Sequence, residues 1–263
     1  MYKTEKISEK NKQLIIDSIK TDVVKHVFAY YDIQHEPEHT MAYAAFKGNI
    51  LAGYILIYTA LEFPSVILEG EDDAAKILIQ YAPQNHFIMH CPPKLLRSVK
   101  ERFPQLKYYF ENWMLVKKEH ANHARSELVR RLNSKEDAEK LCDLLTTRAE
   151  RPSGTAERYL NWIKKMILYG VFIDDKLVSY AGSFLQLPQV WMIGGVYTHP
   201  DHRNKGYSTL ATSAMTEEAL KHAEAAALFV RSDNYAAIRV YEKIGYRQIG
   251  EKLWVDVGTG LKP

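Results

Sequence analysis

Two cysteines, Cys91 and Cys142, in 263 residues are too few and too far apart to staple a fold or to supply a C-x-x-C zinc site. A reducing compartment is the expectation. No apolar run comes near the roughly 20 residues that cross a bilayer, and the opening MYKTEKISEKNKQ lacks the apolar centre of a secretory signal. No membrane association and a cytoplasmic location are expected. Neither sign of charge prevails: 35 Lys and Arg against 32 Asp and Glu leave +3, too little to argue for nucleic acid. A local excess between Lys94 and Arg131, ten basic residues against four acidic, reads as a solvated helix face and a linker. The aromatics there, such as Tyr108, Phe110 and Trp113, fit strand packing better than a base-stacking platform, so no nucleic-acid partner is expected. At 46% hydrophobic and 25% charged residues, the chain has the composition of an ordinary folded protein, long enough for one large domain or two of usual size.

What is present is one pattern written twice. Residues 8 to 28 carry apolar positions at helical spacing and predict two short helices. MAYAAFK and ILAGYILIYTA flank Gly48-Asn49 as a hairpin, followed by the strand SVILEG, the helix DDAAKILIQYA, the strand HFIMH, the helix PPKLLRSVKERF and the strand KYYFENWMLVKK. After the polar EHANHARSE the order returns. LVRRL predicts a strand, Ser134 caps a helix through Leu145, and TAERYLNWIKKMIL predicts a second helix. YGVFI and LVSYAGSFLQL flank an Asp174-Asp175 turn, and QVWMIGGVYT is the next strand. A helix over Tyr207–His222, the strand AALFV, the helix YAAIRVYEKI and the strand YRQIGEKLWVDV complete it. Two domains of similar topology are expected, 1–120 and 127–263.

In the second copy, the strand QVWMIGGVYT leads through THPDHRNKG into an Ala- and Leu-rich helix. The unpaired N–H groups of a helix N-terminus carry the positive end of the dipole and hold phosphate readily. Gly206 lets backbone come close, Arg203 and Lys205 add charge, and Ser208 is small. An ordinary solvated loop would explain the charges but not the placing of Gly206. Neither a Walker A nor a G-x-G-x-x-G dinucleotide loop occurs.

Arg203-Asn204-Lys205-Gly206-Tyr207-Ser208, with GVYTHPDHR before it and NYAAIRVYEKIGYR after it, resembles the [QR]-x-x-G-x-[GA] loop and distal helix of the GCN5-related N-acetyltransferases, most like the FR47-like branch, over roughly residues 127 to 257. Ser208 replaces the final Gly or Ala. The resemblance implies an α/β fold (α+β, with a mixed sheet): two acyl-CoA N-acyltransferase-like domains, each a mixed, mainly antiparallel twisted sheet flanked by helices. It implies acetyl-CoA as acyl donor without a metal, and a small-molecule amine or peptide acceptor. Val196, Tyr197 and Thr198 would pair with the pantetheine arm, the loop from Arg203 through Ser208 would hold the pyrophosphate, and Asn234 would touch the cofactor arm. Tyr241 would protonate the departing thiolate, although helix packing is the commoner fate of such a tyrosine. Some members carry a glutamate on the strand before the loop; here Trp191-Met192-Ile193 offers none, and Glu150 or Glu157 acting through water is the expected replacement, with surface solvation as the plainer reading of each. His199 reads as a turn residue before Pro200.

The first copy reads Leu68-Glu69-Gly70-Glu71-Asp72-Asp73 at the equivalent junction, and four carboxylates there would repel a pyrophosphate. It is expected to be a degenerate copy without a cofactor loop, while 127–263 is the catalytic domain. His35-Glu36-Pro37-Glu38-His39 matches H-E-x-x-H literally, but Pro37 breaks the helix that motif requires, so it reads as a loop. An alternative to catalysis is a module that binds or senses acyl-CoA and docks a partner.

Overall fold

The computed structural model describes residues 2–148 and 154–261. Among these the chain forms twelve strands and eight α-helices. In chain order they are β1 (Lys3–Lys6), α1 (Lys12–Ile19), α2 (Val27–His35), β2 (Thr40–Lys47), β3 (Ile50–Tyr58), β4 (Ser65–Gly70), α3 (Asp72–Leu78), β5 (Phe87–Cys91), α4 (Leu96–Arg102) and β6 (Lys107–Lys117). There follow β7 (Val129–Arg131), α5 (Lys135–Thr146), α6 (Ala156–Lys165), β8 (Ile167–Ile173), β9 (Lys176–Gln186), β10 (Val190–Thr198), α7 (Tyr207–His222), β11 (Ala225–Arg231), α8 (Tyr235–Ile244) and β12 (Arg247–Val257). The expected mixed α/β architecture is present. β1 was not legible, because its Lys-Thr-Glu-Lys carries no apolar alternation.

The chain divides into two compact units, residues 1–112 with 250–261, and residues 113–249. The first unit is discontinuous, and the boundary falls between 112 and 113 rather than within 119–127. The reason lies in two long strands: Leu253, Val255 and Val257 of β12 enter the core of the first unit, while Met114 and Val116 of β6 enter that of the second. A strand's inward positions recur every second residue, so either strand fits wherever a sheet edge lacks a neighbour.

In the first unit the strand order is β1-β2-β3-β4-β5-β12, antiparallel except for β4 and β5, which are parallel. One face packs against α3 and α4 through Ile55, Leu68, Leu78 and Leu95; the other packs against α1 and α2 through Ile15, Ile19, Ile33 and Leu56. Each such buried side chain contributes about 1.5–3 kcal/mol of transfer free energy. The hairpin between β2 and β3 turns at Gly48, with φ +62°. Asp32 of α2 is buried, and burial followed by the Glu36 carboxylate pushes its carboxyl up to about 7.

In the second unit the order is β6-β11-β10-β9-β8-β7, with β10 and β11 parallel and β7 through β10 antiparallel. Met192's neighbours Trp191 and Ile193 pack with α7 and α8, while α5 and α6 cover the other face through Leu141, Leu144, Tyr159 and Ile163. The β8–β9 turn uses Asp174 and Asp175 at φ +47° and +62°, the paired positive values of a tight hairpin. Ser134 starts α5 with a reciprocal capping box: its hydroxyl accepts from Asp137 N at 3.0 Å, and Asp137 Oδ2 accepts from Ser134 N at 3.2 Å and Asn133 N at 2.9 Å. Burial pushes the Asp137 carboxyl up, but the bidentate Arg130 guanidinium at 2.7 and 3.0 Å and these amides bring it below the usual range. α8 ends on Gly245 at φ +104°, where a Cβ would run into the carbonyl oxygen of His120.

Candidate acyl-donor site

β10 is laddered to β9 along its length, with an extra residue between Gly194 and Tyr197 that makes a bulge. Gly195, at φ +67°, occupies it, and a Cβ there would sit 3.0 Å from the Tyr180 hydroxyl. On its other side β10 pairs with β11 only over Val190–Met192. The two parallel strands then part, and Ile193 through Thr198 present a strand edge without a β11 partner. Such an edge accepts an extended chain that carries its own amides.

That edge runs directly into the loop. Pro200–His202 make a 3-10 turn in which His199 Nδ1 accepts from Asp201 N at 3.2 Å, the turn role expected of His199. Asn204 sits at φ +61°, and Gly206, at φ +81°, is the N-cap of the sixteen-residue α7. The cap makes no side-chain hydrogen bond, the first turn holds no acid, and the first backbone bond back into the helix is Leu210 N to Gly206 O at 3.1 Å. The amides of Tyr207, Ser208 and Thr209 are therefore the orphan donors of this end. A Cβ at Gly206 would meet nothing within 4 Å, so the space before the helix is open.

The loop cations are tethered to the loop itself. Arg203 Nε donates to Thr198 O at 3.4 Å, and Lys205 Nζ donates to Asp201 O at 3.2 Å. The guanidinium carbons of Arg203 and Arg148 lie 5.9 and 5.7 Å from the centre of the Tyr197 ring. The Thr147 hydroxyl donates to Leu144 O at 2.7 Å, so the Tyr197 hydroxyl, 3.0 Å from Thr147 Oγ1, is the donor of that second bond. Positive charge thus gathers on one side of the strand edge. The equivalent junction of the first unit has the opposite character. β4 pairs with β5 over Ser65–Ile67, and α3 then begins with Glu71, Asp72 and Asp73. Buried Glu69 is ion-paired with Lys252, and Asp72 accepts from Ser98 and from Lys76, each at 2.7 Å.

Tyr241 lies on α8 at 7% exposure, in the same apolar cluster as Val196 and Tyr207, with its ring edge-on to Tyr246 at 6.0 Å. Burial alone pushes its phenol up to about 12, so it is neutral at every ordinary pH. Asn234 is the N-cap of α8 and its Oδ1 accepts from Ala237 N at 3.1 Å; the cap occupies the oxygen and leaves the amide NH2 for another partner. Trp191, Met192 and Ile193 are buried and bring no acid. Glu150 lies outside the described residues. Glu157 is exposed in the first turn of α6, where it lines a shallow groove of about 490 Å³ with Arg158, Asn161, Trp162 and Lys165. The structure thus brings Val196 through Thr198 and Arg203 through Ser208 together, sets Tyr241 in the packing under them, and keeps Glu157 on a separate helix. Sequence reasoning missed Tyr180, Thr147, Arg148 and Gly195. Consecutive glycines inside a strand, Gly194-Gly195, were the available signal for the bulge.

Known proteins share this architecture. Residues 168–255 match the family model described as FR47-like protein. The fold of a Drosophila protein is similar at TM-score 0.73 and 14% identity, over 97% of this chain and 98% of that one. A tandem GNAT protein from the clavulanic acid biosynthesis pathway gives TM-score 0.63 and 12% identity, over 100% of both chains. A GCN5-related N-acetyltransferase from Kribbella flavida gives TM-score 0.61 and 15% identity, over 79% and 88%. No curated protein matches at the sequence level. The fold is that of the GCN5-related N-acetyltransferases. Among the described residues, no helix is long and apolar enough to cross a membrane.

Proposed function

We propose that this protein is an acyl-CoA-dependent N-acetyltransferase that moves an acetyl group from acetyl-CoA to the primary amine of a small molecule or peptide, by direct attack in a ternary complex in residues 127–263. One observation carries the reading: an unpartnered edge of β10 leads, through the positive-φ residues Asn204 and Gly206, into an uncapped and acid-free helix N-terminus. A single extended ligand with amides at one end and a pyrophosphate at the other fits both parts. The residues present fit acetyl-CoA, which would supply an activated thioester.

In this arrangement the backbone of Val196, Tyr197 and Thr198 aligns the pantetheine arm, and the amides around Asn204–Ser208 hold the pyrophosphate, with Arg203 and Lys205 released from their loop carbonyls to assist. A backbone N–H of the bulged segment polarises the thioester carbonyl, the role an oxyanion donor plays. Tyr241, its phenol held at about 12 by burial, stays protonated and would stabilise the leaving thiolate sulfur as a hydrogen-bond donor. The amine is deprotonated through water by Glu150 or Glu157. The fixed carboxylates at Glu71, Asp72 and Asp73 support a non-binding, degenerate first copy.

Calorimetric titration with acetyl-CoA tests the reading: one site per chain is expected, and no heat or thermal stabilisation at millimolar ligand overturns it. A second reading rests on the acid-free strand Trp191-Met192-Ile193. The protein would then sense acyl-CoA and dock a partner, and stoichiometric binding without turnover of a broad amine panel would favour it.

A further inference from the structure

An amine that attacks a thioester held along β10 must reach the bulge at Gly195 from one face of the second sheet. The face toward α7 and α8 is closed, because Trp191, Ile193 and Tyr241 are buried there and Val196 packs against them. The face toward α5 and α6 has an opening. Leu177 through Ser183 of β9 are all buried, and so is Leu185, yet Phe184 between them is 47% exposed. β9 lies inside the sheet between β8 and β10, so an exposed ring there means that the helical layer leaves this position uncovered.

A second bulge aims that ring. Met192 pairs with Leu185 and Ile193 with Ser183, so Phe184 is an extra residue in β9, and a bulge turns the side chain it carries. The ring lies over Gly194: a Cβ on that glycine would sit 2.8 Å from it. Gly194 pairs directly with Gly182, whose own Cβ would meet Leu168 of the cluster under α5 and α6, so the Phe184 ring belongs to that face. The next residue along β10 is Gly195, exposed, with the Tyr180 hydroxyl beside it. Neighbouring Cα atoms stand about 3.8 Å apart, so a group resting on the Phe184 ring is within one residue's length of the bulge amides. No carboxylate, Lys or Arg stands among Phe184, Gly194, Gly195 and Tyr180.

We propose that Phe184 is a specificity-determining residue for the acceptor, and that it selects a primary amine whose neighbouring carbon carries an apolar, flat side chain. The inference rests on the acyl-transfer reading above. Paired aromatic rings settle with centroids about 4.5–7 Å apart, a spacing that leaves the amine beside the ring and over the Gly195 bulge. The full chain with saturating acetyl-CoA is assayed on phenylalaninamide and serinamide, whose α-amines differ only in the attached side chain. kcat/KM should favour phenylalaninamide about tenfold or more, mainly through KM. Phe184→Ala should abolish that preference, and Phe184→Tyr, which keeps the ring, should retain it. Calorimetric titration of phenylalaninamide into protein saturated with CoA reads the same contact without turnover, with binding to Phe184→Ala about tenfold weaker than to the parent. Phe184 is half-exposed, so its variants fold, and equal melting temperatures and acetyl-CoA affinities verify this. A missing preference, or one that Phe184→Ala retains, overturns the proposal and leaves the acyltransferase reading standing as long as acetyl-CoA binds and an amine turns over. If acetyl-CoA fails to bind, that reading falls and takes the proposal with it.

Discussion

Gly206→Glu separates backbone strain from electrostatics at the proposed cradle. Gly206 sits at φ +81°, where an L-residue costs about 1–2 kcal/mol, and a Cβ there meets no atom within 4 Å. Gly206→Ala and Gly206→Glu should therefore lose the same 1–2 kcal/mol, roughly, of folding stability, a few degrees in melting temperature. Acetyl-CoA affinity should divide them. A carboxylate about 6 Å from a phosphate repels it by about 0.7 kcal/mol at a water-like dielectric and about 2.8 kcal/mol at an effective dielectric near 20. Two pyrophosphate charges make that about 1.5–5.5 kcal/mol, a loss of about tenfold to several thousandfold. Calorimetry at low and high salt measures it, and the Glu penalty should shrink as salt rises while any Ala penalty stays constant. If Gly206→Glu binds acetyl-CoA like Gly206→Ala at low salt, the pyrophosphate is not held at this loop.

Tyr241→Phe keeps the buried ring and should lower kcat about 10²-fold with little change in acetyl-CoA affinity; an unchanged kcat would leave the tyrosine as packing only. Because its folded pKa of about 12 exceeds the unfolded value near 10, Tyr241 lends stability fully present below pH 10 and lost as pH rises toward 12, and the pH–rate profile should show no alkaline fall from it below about pH 11. Asp137→Ala removes the capping box and strands the Asn133 and Ser134 amides, a loss of about 2–4 kcal/mol by urea unfolding; the folded pKa is depressed, so this contribution is present above about pH 4 and disappears as pH falls further. Gly245→Ala forces a left-handed residue against the His120 carbonyl and should cost about 2 kcal/mol or more, seen as a lower melting temperature with an unchanged acetyl-CoA site.

The two units share one plan and differ in charge at one place. Where α7 begins with Gly206, Tyr207 and Ser208, α3 begins with Glu71, Asp72 and Asp73, and Glu69 is neutralised inside the sheet by Lys252. A helix dipole offers an anion a fraction of a unit charge, which two first-turn carboxylates more than cancel. The same topology can therefore present a cradle in one copy and a self-satisfied helix end in the other.

Local chemistry was readable from sequence because it depends on neighbours along the chain. Gly48 and the Asp174-Asp175 pair set their hairpins by their own backbone preferences, Ser134 and Asp137 cap α5 three residues apart, and the glycine of RNKGYS marks the helix start. Pro37 likewise ended α2 as its missing N–H and ring dictate. Partner choice between distant strands was not readable. β6 and β12 alternate apolar residues equally well for either sheet, so only the closed packing assigns Leu253 and Val255 to one core and Met114 and Val116 to the other. The parting of β10 from β11, the Tyr180 hydroxyl against the Gly195 bulge and the burial that raises Tyr241 arise the same way. Sequence determines which groups are offered at each turn and cap, through torsions and hydrogen bonds within a few residues. Tertiary structure decides which distant groups meet and how dry they become, because those energies exist only once both sides are in place.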